Sequence, residues 1–314
     1  MAAPIVAIVG ATASGKTSLS LDLAEALTGR GGRGEIVNTD AMQLYRGMDV
    51  GTAKLPPEER RGIAHHLLDL LDVTQASTVA EFQQLARAEI AGMRAAGTTP
   101  VLVGGSALYT RAVVDRFEFP GTDAGVRARL EAELEDVGAE AMHARLAELD
   151  PEAAGRILPE NGRRIVRALE VIELTGRPFT ASLPVMEYAD PATIQIGVDI
   201  DRPALAARIE QRVDAMFDAG FVDEVARLLD AGLRGGRTAS MAIGYREVAA
   251  FLAGELTLEE ARERTVLATR RFARRQDAWF RKDPRIVWVR YDDPERVAKA
   301  LDAVQELQVP RLSP

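Results

Sequence analysis

Residues 10–18 read GATASGKTS, directly behind the apolar run PIVAIV at 4–9. The spacing Gly10-x-x-x-x-Gly15-Lys16-Thr17, between a strand-like run and a helix-like one, is that of a phosphate-binding loop. Glycines let backbone amides converge on phosphate oxygens, and the first turn of the following helix adds positive potential. Gly10, Ala11, Thr12, Ala13, Ser14, Gly15, Lys16 and Thr17 are therefore the candidate anion-binding residues. Lys16 should lie along the phosphates, and the Thr17 hydroxyl is suited to bound Mg2+. Loops of this kind usually serve ATP, so phosphoryl transfer is the first chemistry to consider.

Outward from the loop, the spacing predicts a strand near Ile5–Val9 and a helix from about Lys16 to Leu27. GEIVNTD reads as a second strand ending at Asp40, and PVLVGGS at 100–106 as a buried third. Between them STVAEFQQLARAEIAGMRAAG fits a crossover helix capped by Ser77 or Thr78. TIQIGVDI at 193–200 and IVWVR near the end add strands, so strands alternate with helices and imply a mostly parallel sheet. The segment 117–186 is different: VRARLEAELEDVG and GRRIVRALEVIELTG are successive helices, with turn signals at Asp150-Pro151 and Leu158-Pro159. It reads as a helical domain inserted in the α/β core, which spans 1–116 and is completed by 187–314. From Pro203 the chain is mainly helical and ends in an arginine-rich helix from Leu258; VPRLSP is expected to be a loose tail.

The chain of 314 residues is 47% hydrophobic and 27% charged, as in an ordinary soluble globular protein. It has no cysteine, which excludes a disulfide framework, a thiol nucleophile and a cysteine-ligated zinc. Its 3 histidines argue against a histidine-rich metal site. With no basic leader and no long apolar segment, the expectation is a cytoplasmic protein without a membrane span. The net charge of −8 argues against a nucleic-acid partner until its distribution is considered. Between Arg262 and Arg290 ten arginine or lysine residues face three acids, a strip that can attract a phosphate backbone.

A nucleotide-hydrolysing protein normally places a second acid at the end of a core strand to hold metal through water. PVLVGG ends in glycines instead, and the acid available is Asp40, near the crevice where sheet ligands bind. An ionised Asp40 there can accept a proton from an attacking nucleophile, or simply cap the next turn or ligate metal indirectly. Gly104-Gly105-Ser106 offers close backbone approach and a hydroxyl, and Arg212 can complete a clamp on a diphosphate. His65 and His66 fit a hydrogen-bonding or a structural role equally well, and no chemistry is assigned to them. On these residues alone, a small-molecule or nucleotide kinase stays open.

Taken together, the motifs resemble the tRNA dimethylallyltransferase (tRNA isopentenyltransferase) family. The matching stretches are GATASGKTS at 10–18, NTDAMQLYRGMDVGTAK at 38–54, HHLLD at 65–69 and LVGGSALY at 102–109. They continue with RRIVRALEV at 163–171, RIEQRVDAMF at 208–217, GYRE at 244–247 and RRQDAWFR at 274–281. The resemblance implies a P-loop kinase-like parallel sheet flanked by helices, with a helical insertion that grips the anticodon arm of tRNA. It implies transfer of a dimethylallyl group from dimethylallyl diphosphate to N6 of adenosine 37, with release of diphosphate and a requirement for Mg2+. Asp40 then resembles the general base, Thr12 to Thr17 the diphosphate pocket and Arg212 the diphosphate arginine. Ser106 stands where the family usually has threonine, and Ala41 where it has serine. Asp40, Ala41, Met42 and Gln43, with Arg163, Arg164 and Arg167, match stretches associated with tRNA contact.

On that reading the loop holds a leaving group and no phosphoryl group moves; Lys16, Arg212 and Mg2+ stabilise the departing charge. Adenosine 37 must leave its stack to react, and Gln43 is a candidate for reading an adenine edge. The expected partners are the tRNA anticodon arm and dimethylallyl diphosphate, with no membrane, and the chain is expected to act as a monomer. A free-adenine-nucleotide isopentenyltransferase would not need the basic strip or the large insertion. A non-catalytic RNA-binding module would leave Lys16, Thr17 and Asp40 without a task.

Overall fold

The computed structural model describes residues 3–76, 78–117, 119–182 and 186–308. Ser77 and the tail 309–314 lie outside the described residues, as do 118 and 183–185 within the segment read as an insertion. By its contacts the chain divides into two compact units, one of Met1–Val114 with Asp190–Pro314 and one of Asp115–Ala189.

The first unit opens with β1 (Ile5–Val9), α1 (Lys16–Gly29), β2 (Gly34–Asn38) and β3 (His65–His66), then α2 (Val79–Ala95), β4 (Thr99–Val103) and α3 (Ala107–Val114). In the second unit α4 (Ala124–Leu149), α5 (Pro151–Arg156) and α6 (Gly162–Thr175) pack on Leu130, Met142, Leu146, Ile165 and Leu169. The chain re-enters the first unit with β5 (Thr193–Asp199), α7 (Arg202–Asp218), α8 (Phe221–Asp230), α9 (Tyr245–Leu252), α10 (Leu258–Phe280), β6 (Ile286–Arg290) and α11 (Arg296–Gln308). Among the described residues no helix is long and apolar enough to cross a membrane.

The sheet has the order β3-β2-β4-β1-β5-β6, and every pairing in it is parallel. β1 is buried at every position, because a parallel strand covered on both faces is apolar throughout. Ile8, Ile36, Val101, Ile196 and Val289 from the strands meet Leu19 and Leu23 of α1 and Leu301 of α11 in one core. A second core joins Tyr45 and Met48 to Phe217, Phe221, Val225 and Tyr245. Helix starts follow local chemistry: Thr78 caps α2 in a box with Glu81, Thr257 caps α10 with Glu260, and Asp201 caps α7.

One strand expectation needs correction, and one strand was not expected. The second strand stops at Asn38 rather than Asp40, because the Asn38 side chain turns the backbone out of the ladder: its Oδ1 accepts from Asp40 N–H at 2.8 Å and its Nδ2 donates to Asp40 C=O at 3.0 Å. The two-residue edge strand β3 had no strand-length signal; Ile36 and Val37 recruit His65 and His66 by pairing. The inserted helical run written as VRARLEAELEDVG ends at Gly138, whose φ of +82° interrupts α4.

Because β4 lies between β2 and β1, the loops leaving all three strands open side by side at their carboxyl ends. Ligands of open parallel sheets bind at such a crevice.

Candidate active site

The phosphate loop follows from backbone geometry. Gly15 precedes α1 at φ +104° and carries no capping side chain, so no side chain at the cap takes the first amides of the helix, and Gly15, Lys16 and Thr17 line a cavity. Lys16 folds over the loop and its Nζ donates to Ala11 C=O at 2.7 Å. Burial, then the nearby Arg212 charge, lowers its pKa from 10.5 to about 7, against the opposing pull of Asp40. Arg212 Nη1 donates to Thr12 Oγ1 at 3.0 Å and Arg208 Nη1 to Ser14 C=O at 3.4 Å, so α7 braces the loop with two guanidinium groups. Burial also lowers the Arg212 pKa, which Asp40 opposes.

A connection absent from the sequence reading runs through Gln276 of α10. Its Oε1 accepts from Thr12 N–H at 2.8 Å while its Nε2 donates to Gly105 C=O at 2.7 Å, tying the loops after β1 and β4 together. Gly104 is required there, since a Cβ would stand 2.2 Å from Thr39 Oγ1. RRQDAWFR carried the family resemblance, but the polar bridge depends on a contact across 264 residues and has no local signature.

Asp40 is held in the turn made by Asn38, and its Oδ1 accepts from Met42 N–H at 2.9 Å. No other hydrogen bond reaches the Asp40 carboxylate among the described residues, so Oδ2 is the open acceptor. Gln43 Nε2 donates to Thr52 C=O at 3.1 Å.

Two cavities meet at these groups. One, of about 280 Å³, is lined by Thr12, Ala13, Gly15, Lys16 and Thr17, with Asp40, Gln43, Gly104, Gly105, Arg212 and Gln276. The other, of about 320 Å³, is lined by Met42, Met216, Phe221, Met241, Ile243 and Phe272, with Ala41 and Ser106 on its wall. Thr12, Asp40, Thr52 and Arg212 line both. The structure therefore gathers Lys16, Thr17, Asp40, Gln43 and Arg212 around the loop cavity and sets Ala41, Met42 and Ser106 in the second.

In the other unit, Arg163 and Arg164 are exposed on α6. Arg167 is half-buried and directed inward: Nη1 meets Glu170 Oε2 at 2.8 Å and Nη2 donates to Pro120 C=O at 2.8 Å. His66 lies between Glu35 and Glu89 at 2.7 Å each, whereas His65 lines the loop cavity.

For a divalent cation, the donors available are the exposed Thr17 hydroxyl and the Asp40 carboxylate on one cavity. No group of three or more His, Asp or Glu side chains forms a metal cage among the described residues. Few protein oxygens, with water and phosphate oxygens completing the shell, is the set Mg2+ takes at diphosphate sites, so these residues fit it.

Fold and site together define a P-loop α/β protein that presents an anion-binding loop, two basic side chains and an open carboxylate to two adjoining cavities. The IPP transferase family model matches residues 43–283. A tRNA dimethylallyltransferase of Nocardioides sp. is 73% identical over 301 residues, covering 96% of each chain. The solved full-length tRNA isopentenylpyrophosphate transferase of Bacillus halodurans is 38% identical with a TM-score of 0.67, covering 97% of this chain and 99% of its own. A eukaryotic dimethylallyltransferase acting on tRNA shares the fold at 24% identity, with a TM-score of 0.84 over 99% of this chain and 81% of its own. The chain belongs to the tRNA dimethylallyltransferase family.

Proposed function

We propose that this enzyme transfers the dimethylallyl group of dimethylallyl diphosphate to N6 of adenosine 37 in tRNA, in the cytoplasm, and releases diphosphate. The observation that carries the reading is the position of Asp40 and Arg212 at the junction of the two cavities. The loop cavity has the donors for a diphosphate, and the apolar cavity, of about 320 Å³, has the volume and side chains to receive an extruded adenine. C1 of the allyl group then lies at the junction, within reach of both.

The N6 lone pair attacks C1, the C1–O bond breaks, and its electron pair leaves on the diphosphate. Asp40 Oδ2 takes the N6 proton. The amides at the start of α1, with Lys16 and Arg212, stabilise the charge that accumulates on the leaving group. Thr17 is the residue that would hold Mg2+, which when bound neutralises diphosphate charge. Positioning contributes as much as charge, because two substrates must be brought together in line. Ser106 and Ala41 flank the adenine side, and the exposed Arg163 and Arg164 are available to an anticodon-arm backbone.

The test is transfer of radiolabelled dimethylallyl from its diphosphate to a tRNA carrying adenosine at positions 36 and 37. Free AMP and a tRNA with position 37 replaced serve as competing acceptors. Label on the first tRNA alone is expected. Label on AMP would make the enzyme a nucleotide prenyltransferase, and no label on any acceptor with folded protein and Mg2+ would overturn the reading.

A further inference from the structure

Glu224, on the first turn of α8, is 2% exposed and lies outside both cavities. Its Oε2 accepts from the backbone N–H groups of Asp49 at 3.1 Å and Val50 at 2.7 Å; its Oε1 accepts from Gly51 N–H at 3.1 Å and the Tyr245 hydroxyl at 2.6 Å. Four donors therefore converge on one carboxylate, which fills its two oxygens. Burial, then the charge of Glu224, pushes the Tyr245 phenol far above its ordinary range, so it remains a donor. Such a side chain, buried and fully satisfied, holds whatever segment supplies its donors.

That segment is the 49–54 loop. Gly51 fits against the rings of Phe221 and Tyr245; a Cβ there would stand 2.2 Å from Phe221 Cε2 and 2.6 Å from Tyr245 Cε2. At the far end Lys54 is buried, with Nζ 2.6 Å from Asp49 Oδ1, 2.6 Å from Asp69 Oδ1 and 2.9 Å from Tyr45 C=O. Between these two anchors Gly51 lines the apolar cavity, Thr52 lines both, and Thr52 C=O receives Gln43 Nε2. With one Nε2 hydrogen on that carbonyl, Gln43 keeps Oε1 as an acceptor and its second Nε2 hydrogen as a donor for a substrate.

We propose that Glu224, with Tyr245, is a positioning residue for the transfer reaction: it fixes the 49–52 backbone, and through Thr52 C=O the Gln43 amide, where the acceptor base meets the allyl group. The inference rests on the transferase reading above. The clamp bears on the apolar cavity through Gly51 and on the seam of the two cavities through Thr52 and Gln43, whereas the phosphate loop itself is held by Arg208, Arg212 and Gln276.

Glu224→Gln turns an NH2 group toward two backbone donors, and Tyr245→Phe removes one donor while keeping the ring. For Glu224→Gln, kcat/KM for tRNA should fall about 10- to 100-fold, as expected of a small misplacement at a reacting centre. Affinity for inorganic diphosphate should stay within about twofold, hydrogen exchange of the 49–51 amides should accelerate, and Glu224→Asp should recover part of the rate. Tyr245→Phe should shift the same quantities less, and it decides the matter if Glu224→Gln does not fold. Folded variants with faster loop exchange but unchanged tRNA kinetics would overturn the proposal. So would an equal loss of diphosphate affinity, which marks general damage. A wild-type enzyme that labels no tRNA would overturn the transferase reading and this proposal with it.

Discussion

Lys16 sits in the loop with a pKa lowered to about 7 by burial and by Arg212, so in the free enzyme near pH 8.5 it is largely neutral. The unfolded chain, with the ordinary value of 10.5, binds more protons between those two values, and stability from this group therefore rises with pH across that window. A diphosphate reverses the balance by favouring the ammonium form. Binding of inorganic diphosphate at pH 8.5 should take up close to one proton, measured as the dependence of binding heat on buffer ionisation enthalpy. Lys16→Ala should weaken binding and abolish that uptake; uptake that survives the substitution would assign the proton elsewhere. Asp40 is the proposed base at the other end of the same transfer. Asp40→Asn keeps the Met42 N–H contact within reach while removing the acceptor at Oδ2, so the single-turnover rate should fall about 10²- to 10⁴-fold. Its tRNA dissociation constant should change little, and a parallel loss of tRNA affinity would make Asp40 a binding residue.

At the scale of elements, the second unit depends on a charge that it hides. Glu170 of α6 is fully buried, accepts from Arg127 and Arg167, and receives Asp123 N–H at 3.2 Å. Burial opposes its ionisation, yet these hydrogen bonds hold its pKa below the ordinary 4.5. Its contribution is full above 4.5 and is lost as pH falls through the lower folded-state value. Glu170→Gln should destabilise α4 and α6 by about 2–3 kcal/mol, toward the low end for a broken buried pair because both guanidinium groups keep solvent contact. Faster hydrogen exchange across residues 124–175 is the readout; unchanged exchange would show that Arg127 and Arg167 are satisfied without the carboxylate. What was legible in the sequence follows the same division between local and distant causes. β1, the loop and α1 carry their signal within a short window, as do the capping boxes of α2 and α10. β3 has only two residues and exists by pairing with β2. Glu224 reads as one polar position on an amphipathic helix, and only the contact with residues 49–51 distinguishes it from a solvated one.

For the whole molecule the question is how a chain of net charge −8 attracts a polyanion. The basic strip counted from sequence is partly neutralised once folded. Arg262 pairs with Asp214, Arg270 with Glu210, Arg281 with Asp199 and Asp277, Arg285 with Asp283, and Arg290 with Asp292. Linear charge counting misses Asp199, Glu210 and Asp214, which come from other elements, and Asp292, which lies just past the strip. Arg271, Arg274 and Arg275, by contrast, are exposed on α10 and make no ion pair among the described residues. Their spacing of three and four places them on neighbouring turns of one helical face. Arg264 and Lys282 of the strip are likewise exposed and make no ion pair among the described residues, so the three clustered arginines should carry much, and not all, of its electrostatic attraction. Replacing all three with glutamine should weaken tRNA binding and reduce the slope of log affinity against log salt by about 2, if each neutralises one phosphate. Replacing Arg262 and Arg290 should leave that slope nearly unchanged, because their charges are already matched within the fold. Measured by titration of labelled tRNA at several salt concentrations, equal slopes for the two sets would show that the tRNA backbone is held elsewhere, with the exposed Arg163 and Arg164 of α6 next to be replaced.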